Sequence, residues 1–493
     1  MNKETNWSNW YYVPIISLFS YLIYRIVNQS KILFIFPLDN PNDVCAYMAH
    51  LFFLKTCGLL QQCPYWYGGF KTFTTIPPGW FVIALPIYNA TKDILFTTWI
   101  MWILTFVLAF IVVMFFGGVF KWSHGQRLLF FALFYGNAII IGNFVKLMRV
   151  HEFLALVVMT IIGFMVLYYL YNDFNIWSIF FVPLFALVIY LHPAEAVLSG
   201  VILGSLFLCT KYWKFLFHFV FMSIVLTLPW LVPYILNFKE TIGINLAITK
   251  SLWSFSWTYL PQHILVIFIP LCFFFVLYKY RNNEKNHLYI RFCFLFIVIA
   301  GLLLFHLTPL IPIFNSVNVD AQLYLLIFFT LFYFMRIRFK WNKLIVVGVI
   351  LISILSIGVS ELYTPKFREY TQLEYDMLDM FNYIDDKYTF AGTTRMPDTS
   401  YVRAYFCYGA IYHNLTTAHG WGLPNEEYHK LLLDSYYSFK SRDCEGFRKS
   451  LLITNVTYII SYSEVDCGFI SGCPQFENVN TQGDVCLYKI NGG

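Results

Sequence analysis

Long apolar runs recur along this chain and constrain its fold more than any other feature. They fall near 11–27, 94–117, 127–145, 152–171, 176–192, 194–210, 213–236, 262–279, 288–307, 321–335 and 343–360. Each is close to the length of about 17 to 25 residues that a membrane-spanning helix needs. Only 12% of the 493 residues are charged, about half the fraction of a soluble domain. The sequence therefore predicts a polytopic α-helical membrane protein with about eleven transmembrane helices.

The orientation follows from the basic residues between these runs. Four loops carry clusters of Lys and Arg, namely Lys121/Arg127, Lys211/Lys214, Lys279/Arg281/Lys285 and Arg336/Arg338/Lys340/Lys343. With eleven spans all four loops lie on one side, which the positive-inside rule assigns to the cytoplasm together with the N-terminus. The long loop 28–93 and everything after residue 360 are then predicted to lie outside.

The composition changes after residue 360. The segment 361–493 is polar and mixed, with a helix-like stretch, NEEYHKLLLDSYYSF, and two β-rich runs, VTYIISY and VCLYKI. We therefore predict two domains, a transmembrane domain over 1–360 and an extracytoplasmic α/β domain over 361–493.

Cysteine usage agrees with this division. Eight of the 11 cysteines lie in segments predicted to be outside, namely Cys45, Cys57, Cys63, Cys407, Cys444, Cys467, Cys473 and Cys486. An even number in an oxidising compartment indicates disulfide bonds. Proximity favours the pairs Cys57–Cys63 and Cys467–Cys473, although the sequence alone does not fix the pairing.

The first long loop carries chemistry at its start. Asp39 and Asp43 lie just beyond the first apolar run, and an amphipathic helix is predicted over 43–56, with Tyr47 and His50 on it. Asp43 is a candidate general base, but the NPND context also suits a residue that caps the helix. The later run IPPGWFVIALPIYN is too short and broken to span easily, so we expect it to lie along the membrane surface or to dip partway in.

An aromatic turn follows in the same loop, made of Tyr65, Trp66, Tyr67, Gly68 and Gly69. Its rings are suited either to anchor the loop among lipid headgroups or to stack on a bound sugar or lipid. The paired glycines allow a tight backbone and close approach of a ligand. The sequence leaves both alternatives open.

A second set of polar residues lies near the predicted outer ends of later spans. Its members are Lys146, Arg149, His151, Glu152, His192, Glu195 and Asp320. Glu195 stands inside an apolar run, where an ionisable group is costly and is by default a functional candidate. The competing interpretation is local pairing, of Glu152 within a solvated loop and of Glu195 with Lys146 or Arg149.

The order of motifs in the first loop resembles that of GT-C glycosyltransferases. A carboxylate past the first span, a helix ending in LKTCG, a WYGG turn and an IPPGWF run follow one another. The resemblance is nearest to the prokaryotic membrane-protein family called 6-pyruvoyl-tetrahydropterin synthase-related, and the AHGWGLPNEEYHKLLLDSYY segment is also similar. Tyr47 stands where that family has a His, and Asp320 stands where it has a cation. The Trp-Trp-Asp motif of oligosaccharyltransferase catalytic subunits is absent from the sequence.

The resemblance implies a reaction. GT-C enzymes transfer a sugar from a polyprenyl-phosphate carrier to an acceptor glycan or protein at the outer membrane face, generally with inversion. Asp43 would then be the base, with Asp39 as the second candidate or as a ligand of a divalent cation, Mg²⁺ or Mn²⁺. Cations would hold the carrier phosphate, and the remaining polar and aromatic residues would line the substrate site. The first group is Lys146, Arg149 and His151; the second is Tyr47, His50, Tyr65, Trp66, Tyr67, Gly68, Gly69, Glu152, His192, Glu195 and Asp320.

Other function classes find less support. The sequence has no phosphate-binding Gly-Lys-Ser/Thr loop, no zinc motif and no basic aromatic surface for nucleic acid. A non-catalytic GT-C subunit that binds a lipid or a surface protein is the main alternative. A transporter is a further one, although the inverted repeats expected of it are not evident. Many Ile, Phe, Tyr and Asn residues together with the outer cysteines favour a prokaryotic, archaeal cell envelope.

Overall fold

The protein is mostly helical. The computed structural model describes residues 10, 12–34, 43–210, 212–237, 260–281, 288–311, 314, 317–337, 343–363, 370–392, 400–421 and 426–491. Up to residue 363 its helices are α1 Tyr12–Leu33, α2 Val44–Thr56, α3 Gly79–Thr91, α4 Ile94–Val119, α5 His124–Tyr135, α6 Ala138–Lys146, α7 Val150–Tyr169, α8 Phe181–Leu191, α9 Pro193–Phe207, α10 Trp213–Asn237, α11 Leu260–Arg281, α12 Leu288–Leu304, α13 Val319–Arg336 and α14 Lys343–Tyr363.

Six of the described helices are long and apolar enough to cross a membrane, or seven if α5 and α6 count as one bent span. Every predicted apolar run coincides with helix, but the count of eleven spans is not confirmed. Helices α9 and α12 have 15 and 17 residues, so they rise only about 22 to 26 Å against a hydrocarbon core of about 30 Å. Helix α1 is long enough, yet its buried Arg25 and Gln29 reduce its apolar character.

The run predicted as one straight span over 127–145 is broken. Helices α5 and α6 meet at a bend of 49°. Asn137 starts α6, and its side-chain oxygen accepts hydrogen bonds from the amides of Ile139 and Ile140. The last six residues of α6, Ile141–Lys146, form a π-helical turn. Such turns are frequent at functional sites, and this one leads directly into the polar residues before α7.

Helix α2 lies where predicted but is not amphipathic. Nine of its 13 residues are buried, and they are distributed around the helix rather than along one face. The reason is that α16, a helix of the C-terminal region (Ser400–His413), packs against α2. The later run predicted to lie flat on the membrane forms α3, with Gly79, Trp80 and Phe81 buried at its start.

The C-terminal unit, residues 370–491, is built around a four-stranded sheet. Its strands β3 Tyr388–Ala391, β4 Tyr458–Ser461, β5 Phe476–Gln482 and β6 Val485–Ile490 have the order β3-β4-β6-β5, and only the β3–β4 pair is parallel. Two short strands in the first loop, β1 Gln62–Cys63 and β2 Phe70–Lys71, pair separately. The helices of the unit are α15 Gln372–Met380, α16, α17 Glu426–Lys440, α18 Cys444–Ile453 and α19 Glu464–Ser471. The helix and the two strands predicted from the sequence lie at these positions.

The two faces of this sheet join different cores. Ile460 and Leu487 belong to the main core, which is continuous with the apolar helices. Their neighbours Ile459 and Tyr488 face the other way, into a smaller core with α17, α18 and α19. This is the alternation expected of a sheet buried on both faces. The unit therefore packs as one body with the helical part, and its place outside the membrane remains a prediction.

Three disulfide bonds are present, and one of the two predicted pairs is among them. Cys57 is bonded to Cys63 as predicted. The predicted Cys467–Cys473 pair is wrong, because the bonds are Cys467–Cys486 and Cys444–Cys473. Cys467 lies on α19, whereas Cys473 lies two residues beyond the end of that helix. The two cysteines therefore lie in different surroundings, and each meets a different partner.

Candidate functional site

The aromatic turn, residues 65–69, is held against the C-terminal unit. The backbone amide of Thr417 donates to the carbonyl of Tyr65 at 2.8 Å. The indole nitrogen of Trp66 donates to the carbonyl of Phe406 at 3.4 Å. Gly68 has a φ of +69°, and a Cβ there would stand 2.9 Å from Nζ of Lys387. A side chain at this φ is strained and would also have to displace the end of the Lys387 side chain, so glycine suits this close approach of the turn to the C-terminal unit.

Trp66 and His50 lie in the packed interior. Trp66 is 1% exposed, and its ring contacts the rings of His50 and Phe53. The imidazole Nδ1 of His50 hydrogen-bonds the carbonyl of Ala46 at 2.7 Å. Burial lowers the pKa of His50 to about 4, so this ring is neutral at pH 7. Neither of the two functions predicted for Trp66, headgroup anchoring or stacking on a sugar, is compatible with a ring that has almost no exposed surface.

The charged residues gather elsewhere, around Arg149. Its Nε donates to a carboxylate oxygen of Asp43 at 2.9 Å. Both side chains remain about one-quarter exposed. Asp43 stands immediately before α2, yet within the described chain its side chain makes no capping hydrogen bond. The carboxylate points instead to the guanidinium, so the capping alternative considered for Asp43 is not what the structure has.

A second carboxylate approaches the same guanidinium from within α7. Glu152 lies 3.5 Å from a terminal nitrogen of Arg149, and its side chain is only 3% exposed. Among the described residues its Oε1 has no hydrogen-bond partner. Lys146, the other cation of this region, is 4% exposed. Arg149 is therefore the one of these two cations that an approaching anion can reach.

A histidine pair extends the cluster toward the start of α9. His192 contacts the carboxylate of Glu195 through Nδ1, and Glu195 is fully buried. The His151 ring lies 5.1 Å from that of His192 and 4.5 Å from the ring of Tyr47. In the described chain, neither Nδ1 of His151 nor Oε1 of Glu195 has a hydrogen-bond partner. Buried polar atoms of this kind are costly, and a catalytic role or a bound water or ion is among the explanations for them.

Two further residues belong to the cluster and were missed in the sequence. The side-chain amide of Asn143 donates to Asp320 at 2.8 Å and to the hydroxyl of Tyr324 at 2.6 Å. Tyr324 follows Asp320 by one helical turn, and Asn143 lies on the π-helical turn. The i, i+4 spacing was a usable signal for Tyr324. The position of Asn143 depends on the bend between α5 and α6, which the sequence did not predict.

The candidate site residues, both those predicted and the two found in the structure, thus form two groups. The first is the polar cluster, comprising Asp43, Tyr47, Asn143, Arg149, His151, Glu152, His192, Glu195, Asp320 and Tyr324. Burial, and to a smaller extent the charge of Asp43, raises the pKa of Tyr47 well above its ordinary value. The Tyr47 hydroxyl therefore keeps its proton. The second group is the aromatic turn with His50, which holds the first loop to the C-terminal unit. Lys146, which lies between Asn143 and Arg149 in sequence, is buried and is placed in neither group.

The divalent cation is not supported by the described residues. Among them, no three His, Cys, Asp or Glu side chains form a group that could hold a metal ion. Asp39, the other residue considered for a cation and for the base, lies outside the described residues.

No family model matches the chain, and no curated protein matches it. The resemblance to the 6-pyruvoyl-tetrahydropterin synthase-related family therefore rests on the motifs alone. Solved structures are similar in fold. One is the arabinofuranosyltransferase AftD from Mycobacteria, with 12% identity, a TM-score of 0.54 and coverage of 95% of this chain. Another is the oligosaccharyltransferase of Archaeoglobus fulgidus, with 10% identity, a TM-score of 0.51 and coverage of 90% of this chain.

This chain is shorter than both of these proteins. It spans 40% of the AftD chain and 67% of the oligosaccharyltransferase chain. Both are glycosyltransferases of the GT-C type. At this level of identity the likeness establishes the fold, so the chain has a GT-C-like fold.

Proposed function

We propose that this protein is a membrane glycosyltransferase that transfers a sugar from a polyprenyl-phosphate carrier to a glycan or protein acceptor. The observation that carries the proposal is the ion pair of Asp43 and Arg149. It lies within a polar cluster whose other members are largely buried, in a chain of GT-C-like fold. Sugar transfer from a phosphate needs a base for the acceptor and a cation for the leaving group. This pair supplies one of each.

Arg149 is the group that binds the phosphate in this proposal. A guanidinium has five N–H donors and binds phosphate through two of them at once. Its side chain is 25% exposed, whereas that of Glu152 beneath it is 3% exposed. An anion can therefore reach Arg149 from the exposed side while Glu152 holds it from within. Glu152 is a positioning residue in this scheme.

Asp43 is the base, and its ion pair must open before it can act. The phosphate of the donor competes with the Asp43 carboxylate for the same guanidinium. Once displaced, Asp43 accepts the proton of the acceptor hydroxyl. The acceptor oxygen bonds to C1 of the sugar, and the bond from C1 to the phosphate oxygen breaks with its electron pair leaving on the phosphate. Attack opposite to the leaving group inverts the anomeric centre.

The part of the polar cluster formed by His151, His192 and Glu195 binds the sugar in this proposal. Sugar hydroxyls both donate and accept hydrogen bonds, and the unpartnered atoms of His151 and Glu195 can satisfy them. Tyr47 keeps its hydroxyl proton and packs against His151. Another part of the polar cluster is held by the hydrogen bond that the Asn143 side-chain amide donates to Asp320.

A non-catalytic subunit of the same fold is the second candidate. The observation that favours it is that the Asp43 carboxylate is already occupied by Arg149. In that case the ion pair would only join the first loop to α7, and no sugar would be transferred.

Surface glycans distinguish the two candidates. Cells that lack the endogenous protein receive the wild type, Asp43→Asn or Asp93→Asn, at equal membrane levels. Asp93 is a matched control because it is another carboxylate of the same loop, which caps α4 through the amide of Phe96, and Asn is an equally good cap. Mass spectrometry of the glycans should show one sugar restored by the wild type and by Asp93→Asn. Asp43→Asn should lower its transfer at least about 100-fold, as loss of a general base does.

Two other outcomes would count against the proposed transferase. Restoration of that sugar by Asp43→Asn at the wild-type level would reject Asp43 as the base. Glycans that are unchanged by deletion of the protein itself would favour the non-catalytic subunit.

A further inference from the structure

Two cysteines face each other where the first loop meets the C-terminal unit. Cys45 is the second residue of α2, and Cys407 lies in the middle of α16. The two helices pack against each other. Neither cysteine has any exposed surface, and both belong to the main core. Both are thiols in this structure.

The two thiols are in direct contact. Cys407 has a side-chain hydrogen bond with Cys45, and burial together with this neighbour raises the pKa of Cys407 well above its ordinary value. The surroundings fix this contact from both sides. The carbonyl of Phe406, next to Cys407, accepts the hydrogen bond of Trp66, and Trp66 packs against His50 and Phe53 of α2.

The other cysteines outside the apolar runs already form disulfide bonds. The pairs Cys57–Cys63, Cys444–Cys473 and Cys467–Cys486 account for six of the eight cysteines outside the apolar runs. Cys45 and Cys407 are the remaining two. Three disulfides in one region indicate that it matures in an oxidising compartment, where two thiols in contact are readily oxidised.

We propose that Cys45 and Cys407 form a fourth disulfide bond in the mature protein. One thiolate attacks the disulfide of an external thiol–disulfide oxidoreductase, and the second thiolate then attacks the resulting mixed disulfide. Two protons and two electrons leave the cysteine pair, and the external disulfide is reduced to two thiols. Because both sulfur atoms are inaccessible in the packed core, the bond forms during folding, when α2 and α16 have met but the external disulfide can still reach one of the two sulfur atoms.

The bond would join two segments that are far apart in sequence. It connects residue 45 to residue 407, while the three other disulfides connect residues at most 29 apart in sequence. It fixes the start of α2, two residues after Asp43, to the C-terminal unit. The inference rests on the cysteines alone and stands whether or not the protein transfers a sugar.

A count of thiols tests the proposal. Protein purified without reductant is denatured in detergent and labelled with a maleimide, and the mass gives the number of adducts. A fourth disulfide leaves three thiols, those of Cys209, Cys272 and Cys293, whereas its absence leaves five. A tryptic digest without reductant should also contain the peptide 32–55 joined to 404–430, and reduction should separate the two.

The three other disulfides serve as internal standards, so only preparations in which they are intact are scored. Five adducts and no joined peptide in such a preparation would overturn the proposal. The variant Cys407→Ser releases Cys45 and should give four adducts, one more than the wild type. If the wild type lacks the bond, the same variant gives one adduct fewer than the wild type. Whether the number of adducts rises or falls in Cys407→Ser therefore decides whether the wild type has the fourth disulfide, even if the variant is less stable.

Discussion

The first loop, residues 28–93, supplies both the aromatic turn and the start of the polar cluster, and the two differ in what they leave accessible. At Asp43 the loop contributes a carboxylate that is one-quarter exposed and paired with an equally exposed arginine. Some twenty residues later Trp66 is 1% exposed and enclosed by aromatic rings. In the sequence each had a ligand-binding interpretation beside a structural one. Among the described residues of these two regions, the polar cluster is the one that retains exposed charge and unpartnered polar atoms.

The difference shows how one loop can carry two separate tasks. The aromatic turn and the disulfide Cys57–Cys63 fix the loop, and the C-terminal unit covers it through Thr417 and Phe406. This fixed part holds α2, and α2 presents Asp43 at its start. Substitutions in the aromatic turn should therefore change stability alone, whereas substitutions at the ion pair should change ligand binding and transfer even where stability is kept.

The largest effect is expected for Arg149→Ala. It leaves the carboxylate of Glu152 buried without its cation, and removal of one partner of a buried pair costs about 3 to 5 kcal/mol. Arg149→Lys keeps the charge but loses the two-pronged binding of phosphate. We expect normal membrane levels for Arg149→Lys and a loss of transfer of about tenfold or more, measured with a lipid-linked donor. Unchanged transfer by Arg149→Lys would weaken the assignment of Arg149 to the phosphate.

A similar loss of stability, about 3 to 5 kcal/mol, is expected when Trp66 is truncated to Ala, because a cavity then opens in the main core. Thermal unfolding in detergent measures it. Trp66→Phe keeps an aromatic ring and should be milder. Per folded molecule, Trp66→Phe should transfer sugar at the wild-type rate. A tenfold fall in that rate would place a ligand at the aromatic turn, which would then serve more than stability.

Acid should destabilise the protein through His50. The unfolded chain takes up a proton at the ordinary pKa of about 6.5, but the buried ring does so only at about 4. The unfolded state therefore binds more protons between these values, so stability is full above about 6.5 and falls as the pH drops towards 4. The slope is about 1.4 kcal/mol per pH unit, close to 3 kcal/mol in total. His50→Phe should flatten this part of the profile of unfolding temperature against pH. An equally steep profile for that variant would assign the acid sensitivity to other groups.

The smallest effect concerns a single hydrogen bond. Tyr324→Phe removes the hydroxyl that accepts from Asn143, and such a bond contributes about 1 kcal/mol. Asn143 keeps Asp320 as its second acceptor, so the cluster should remain assembled. A fall of a few degrees in unfolding temperature with intact transfer is expected. Loss of transfer would show that the hydroxyl itself contacts the substrate.

Much of the helical architecture was predictable, because apolar runs of membrane length leave few alternatives. Arg149, Glu152, His192 and Glu195 could be chosen as site candidates because ionisable groups are costly near apolar runs. What failed depended on packing between distant segments. Helix α2 was expected to be amphipathic, but α16, more than 340 residues later in sequence, buries it.

The other misses have the same origin. The disulfide Cys467–Cys486 depends on how α19 lies on β6, and proximity in sequence gave the wrong partner. The burial of Trp66 depends on Phe406, 340 residues away. The recruitment of Asn143 depends on a 49° bend between α5 and α6. Local patterns report propensity and exposure, and they carry little information about which distant segment will cover a given residue.

The most direct test of the central claim is the affinity of the purified protein for polyprenyl phosphate in detergent. If the donor phosphate displaces Asp43 from Arg149, Asp43→Asn removes a competing carboxylate. The affinity should then rise about fivefold, which corresponds to about 1 kcal/mol, while transfer is lost. Asp93→Asn should bind as the wild type does. An Asp43→Asn variant that binds polyprenyl phosphate no more tightly than the wild type would show that the phosphate does not compete with Asp43 for Arg149.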